Sequence, residues 1–98
     1  MITIESFKNS LQHNTPDPAY SPILKSLWYD GKDDWSKAHD QVDSLNGKDA
    51  AWVHAYLHRK EGDVWNADYW YTKAGKLRPE YSLDQEWELL VNAFLQNS

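Results

Sequence analysis

The sequence predicts an all-α protein of five or six helices in antiparallel hairpins. Two observations lead there. Apolar residues recur three and four apart along most of the chain, while sustained period-2 alternation of β-branched residues is absent. Helix-starting and helix-stopping residues also punctuate the chain at short intervals.

Thr3 is placed to cap a first short helix over 3–12, with Ile4, Phe7 and Leu11 on one face. The stretch NTPDPAYSP carries three prolines, which rule out a regular helix and mark a linker or extended arm. Pro22 suits the first turn of a second helix, with Ser21 as its cap and Gly31 at its end. Its inner face is Ile23, Leu24, Leu27 and Trp28. Asp33 or Asp34 caps a third helix with the stripe Trp35, Ala38, Val42 and Leu45, ended by Asn46-Gly47.

A fourth helix is expected from about 49 to 61. Its middle, AAWVHAYLH, has no charged side chain on any face if the imidazoles are neutral, which marks a central, buried helix. Gly62 ends it and Asp63 caps the fifth. There Ala67, Trp70, Tyr71, Ala74 and Leu77 form the stripe and Pro79 is the stop. Ser82 and Gln85 make a capping box for a sixth helix with Trp87, Leu90, Val91 and Phe94 inside. The expected organisation is one helical domain over 1–98. It comprises an N-terminal helix (1–13), a proline-rich linker (14–21), two hairpins (22–79) and a C-terminal capping helix (80–98).

Composition narrows the function. A net charge of −5 with no basic stripe argues against nucleic acid, whose phosphates need clustered Lys and Arg. The chain has no Cys, so disulfides, thiolate nucleophiles and thiolate metal sites are excluded. No apolar run approaches the ~20 residues of a membrane span. The start MITIESFKNS lacks a signal-peptide layout, so a cytoplasmic location is expected. No cofactor motif is present.

DDWSKAHDQVDSL, from 33, and GDVWNADYWYTKA, from 62, repeat at an offset of 29 residues. Asp34 aligns with Asp63, Ala38 with Ala67, and Val42 with Tyr71. The segment DAAWVHAYLHRKEGDVWNADYWYTKAGKLRPE then resembles a tetratricopeptide repeat. It has a small residue at Ala55, a Gly-Asp turn at Gly62-Asp63, Ala67, Tyr71, Ala74 and a closing Pro79. The resemblance covers one repeat at 48–79 and a shortened one before it. The string HRKEGDVWNADYWYTKAG also looks like the signature of a small bacterial family without an assigned activity. That resemblance implies a bacterial helical-hairpin protein.

Two sets of candidate residues emerge. The resemblance implies that the first helix of each pair lines a concave groove, with Trp52, Val53, Tyr56 and Lys60 facing it and Leu24 and Leu27 extending it. Exposed aromatics there would hold a partner peptide, unless the N-terminal arm with Tyr20 folds back and fills the groove. The second set is His54 and His58, four apart on one helix face, a spacing able to hold one metal ion. A third ligand would come from His39, Glu61 or Asp63. The simpler account is two inward imidazoles bonded to backbone, Tyr or a carboxylate. Arg59, Glu61, Asp63 and Asn66 form a polar knot at the turn, read either as capping or as a binding cluster.

The leading expectation is therefore a non-enzymatic protein- or peptide-binding module, monomeric or homodimeric, with no residue assigned a catalytic role. The alternative is a small-molecule or metal-binding protein, possibly an enzyme, centred on His54, His58 and Arg59.

Overall fold

A computed structural model describes residues 2–95. Residue 1 of the expected N-terminal segment and residues 96–98 of the expected C-terminal segment lie outside the described residues. The chain is all-α, with α1 (Ile4–Ser10), α2 (Pro22–Gly31), α3 (Trp35–Val42), α4 (Lys48–Lys60), α5 (Val64–Ala74) and α6 (Leu83–Leu95). No strand occurs among the described residues. No helix among them is long and apolar enough to cross a membrane.

Short polar side chains start most of these helices. Thr3 and Ser6 form a capping box at α1, and Ser21 precedes Pro22 at the start of α2. Ser82 and Gln85 bond reciprocally at α6. The repeat is visible in the backbone itself. Asp34 caps α3 at φ −106° and ψ 77°, and Asp63 caps α5 at φ −88° and ψ 77°. The amide of Asp34 donates to the Tyr29 carbonyl at 2.9 Å, and that of Asp63 to the His58 carbonyl at 2.9 Å. Asp33 takes a left-handed φ of 61° where the second hairpin has Gly62 at 88°. One hairpin turn is thus built twice, and the first copy holds an aspartate where glycine is the unstrained choice.

Two boundaries differ from the sequence reading. α3 stops at Val42, and Gly47, with φ 103°, precedes α4 as its N-cap instead of ending α3. The run Asp43–Gly47 is poor in helix formers, so nothing carries the third helix onward. α5 stops at Ala74 because Gly75 turns left-handed at φ 74°. Leu77 therefore leaves the stripe and is 91% exposed.

α4 is central, as its uncharged middle predicts. It packs on α5, α3, α2 and α6. Ala55 and Ala67 are fully buried and let α4 and α5 approach closely around Tyr71. The hairpins are joined where Trp35 Nε1 donates to the Leu57 carbonyl at 2.7 Å, and within the first hairpin Ser26 Oγ donates to the Ala38 carbonyl at 2.7 Å.

The main correction concerns the groove. α6 lies in it, packing on α2 and α4. Its apolar stripe of Leu90, Val91 and Phe94 joins Leu24, Leu27, Val53 and Tyr56 in one buried core. Trp87 Nε1 fixes the crossing by donating to the Leu27 carbonyl at 3.0 Å. The N-terminal arm packs nearby instead, with Tyr20 on Phe7 at a ring separation of 5.3 Å and Phe7 on Trp87 at 6.0 Å. A concave apolar surface and an amphipathic helix in one chain satisfy each other first.

Candidate functional site

The predicted site residues divide between two places, and a third surface holds none of them. Trp52 and Tyr56 face the α6-filled groove and do not form an exposed aromatic surface. Tyr56 is 2% exposed and Trp52 half-buried. Each is held by an acid. Tyr56 donates to Asp30 at 2.5 Å, and Trp52 Nε1 to Glu86 at 3.1 Å.

Arg59 belongs to the same side. Its guanidinium donates to Glu86 at 2.9 Å and to the Tyr81 carbonyl. Glu86, which is fully buried, also accepts from the Tyr71 hydroxyl at 2.7 Å. Asp30, 2% exposed, pairs with Lys60 at 2.8 Å. Sequence reasoning does not single out these two carboxylates. The available signal is their position: Glu86 precedes Leu90 by four and Asp30 follows Leu27 by three, so each sits on an apolar stripe.

The two carboxylates govern the alkaline limit of the fold. Burial and the adjacent acids push the Tyr56 phenol far above its ordinary value, and burial with Glu86 does the same for Tyr71. The folded state thus holds two phenol protons that the unfolded chain releases near pH 10. Their contribution is complete below that pH and is lost as pH rises above it. In an alkaline titration these two phenols should ionise only together with loss of helical dichroism. Tyrosinate absorbance that reached all six tyrosines while helix persisted would contradict this.

His54 and His58 lie on the opposite side of α4, and there the structure adds His39 from α3. The three can offer ligand atoms lying within 4.8 Å of one another. Ring centroids are 5.0 Å apart for His39–His54, 5.4 Å for His39–His58 and 6.1 Å for His54–His58. Two indoles hold the rings. Trp35 stacks on His39 at 4.9 Å and Trp70 on His54 at 4.2 Å.

His54 is 1% exposed, and its Nε2 lies 3.0 Å from the Val42 carbonyl. Burial holds its pKa below the ordinary imidazole value, so the ring is neutral in the fold. His58 Nδ1 lies 2.8 Å from Glu61. Asn66 stands beside this cluster as a capping partner. Asp63 accepts from its backbone amide at 3.2 Å and from its side-chain amide at 2.7 Å. Those bonds hold the Asp63 carboxyl below its ordinary range.

The third place is the outward face of α5. Trp65 is 78% exposed, Tyr69 46% and Val64 42%. The rings of Trp65 and Tyr69 stack at 6.5 Å and 10°, and the Lys73 ammonium lies 5.1 Å from the Tyr69 centroid. Neither Trp65 nor Lys73 is a predicted site residue. The off-stripe position of Trp65 is the signal for it.

Scanned against protein-family models, the sequence matches none, and searches of the curated proteins and of the solved structures likewise return no match.

Proposed function

We propose that the protein is a non-enzymatic binding module that takes an amphipathic helix of a protein partner along the outward face of α5. The observation that supports this reading is the exposed Trp65–Tyr69 ladder, continued by Lys73. Residues 65, 69 and 73 are spaced four apart, the seam that a partner helix fits. Trp and Tyr are the side chains that most often dominate binding energy once desolvated. Lys73 at the end of the seam calls for an acidic residue on the partner. α6, the remaining amphipathic helix after the last hairpin, is committed to the groove on α2 and α4.

A tetratricopeptide-like hairpin pair and a bacterial, cytoplasmic setting belong to the same proposal. The duplicated hairpin turn supports the first. The 58–75 signature supports the bacterial setting.

The test is selection of binders from a random helical-peptide library, mapped by amide chemical shifts. Selected peptides should shift Trp65, Tyr69 and Lys73. Trp65→Ala should weaken them by about 2 kcal/mol or more, roughly 30-fold, with an unchanged melting temperature. Binders that map elsewhere, or that ignore Trp65→Ala, would refute the reading. Concentration-dependent sedimentation abolished by Trp65→Ala would instead make a second copy of the chain the occupant.

A further inference from the structure

We infer that His39, His54 and His58 form a three-imidazole site for one divalent transition-metal ion of the zinc class. This inference is independent of the outward face of α5.

Hydrogen bonding sets the tautomers. The Val42 carbonyl can only accept, so the proton of neutral His54 sits on Nε2 and Nδ1 is a bare lone pair. That Nδ1 is buried and has no hydrogen-bond partner. An unsatisfied buried acceptor of this kind is destabilising, and leucine would fill the position without it. The Glu61 carboxylate likewise accepts from His58 Nδ1, which leaves His58 Nε2 to offer its lone pair. Two of the three rings are thus oriented by a carbonyl or carboxylate on the far nitrogen, the outer-shell pattern of metal-bound imidazoles. The third, His39, is fixed by stacking on Trp35.

The dimensions fit. Zn–N bonds of ~2.0–2.1 Å in tetrahedral geometry place the nitrogens about 3.3 Å apart. The three residues offer ligand atoms within 4.8 Å of one another, so an ion would draw the rings inward by side-chain rotation to reach that spacing. Three neutral nitrogen donors suit Zn(II), Co(II), Ni(II) or Cu(II) and not Mg(II) or Ca(II). Three protein ligands leave a fourth position for water or an exogenous ligand. Because His39 is on α3 and the other two on α4, a bound ion clips the first hairpin to the second.

The test uses the full chain stripped with chelator, then titrated with Zn(II) by calorimetry and with Co(II) by visible absorption. One ion per chain is expected, with an intense four-coordinate Co(II) spectrum and a higher melting temperature with Zn(II). His54→Leu should fold, because the core accepts leucine, and should lose the site. His39→Gln, at a part-exposed position, should lose it as well. Glu61→Gln should weaken binding about 10-fold through the outer shell. His13→Gln should leave binding unchanged. No binding at millimolar Zn(II), binding that survives both His54→Leu and His39→Gln, or binding lost with His13→Gln would overturn the assignment.

Discussion

Glu86→Ala is expected to destabilise the protein by about 3–5 kcal/mol, the cost of removing one member of a buried ion pair. The carboxylate is fully buried and accepts from Arg59, Tyr71 and Trp52, so three donors lose their acceptor together. Arg59 is the costly one, because its side chain is only 16% exposed and its charge would remain. At ~4–8 °C per kcal/mol for a domain this size, the melting temperature should fall by more than ten degrees. Glu86→Gln keeps an acceptor but not the charge and should fall between. In a double-mutant cycle, Arg59→Met in the Glu86→Leu background should cost less than in the wild type. A Glu86→Ala protein within 1 kcal/mol of wild type in urea denaturation would mean that α6 is not docked in the groove.

Trp28→Ala should cost about the same, ~3–5 kcal/mol, through lost burial and the cavity left behind. The indole is 1% exposed, and its Nε1 donates to the Ser10 carbonyl at 3.3 Å and to Ser10 Oγ at 3.1 Å. It fastens the end of α1 to α2. The loss should therefore be uneven. Amide exchange should accelerate first in α1, while α4 and α5 keep their protection until global unfolding. Uniform acceleration in every helix would show instead that α1 is part of one cooperative unit with the hairpins.

The local structure is legible in the sequence because its causes are local. Asp34, Asp63 and Ser82 declare helix starts by residue type and by the periodic apolar residues after them. The uncharged middle of α4 declares its central place. The destination of α6 is not legible: a stripe of Leu90, Val91 and Phe94 says that one face must be covered, but does not name the surface that covers it. The groove expected to hold a partner is for that reason the surface that the chain itself fills. Glu86 and Asp30 are hidden by residue type, since carboxylates read as surface unless their place on an apolar stripe is given more weight. His54 and His58 are found by their spacing on one helix. Only the packing of α3 on α4 singles out His39 from Glu61 and Asp63, the other candidates for the third ligand.

The central claim is that the groove is closed by α6 and that the free aromatic surface is the outward face of α5. Hydrogen exchange of the indole N–H protons, followed by NMR in the full chain, tests it directly. The Trp52 and Trp87 indoles, bonded to Glu86 and to the Leu27 carbonyl, should exchange slowly, and Trp65 should exchange as an open indole does. A rapidly exchanging Trp52 together with a protected Trp65 would contradict the account.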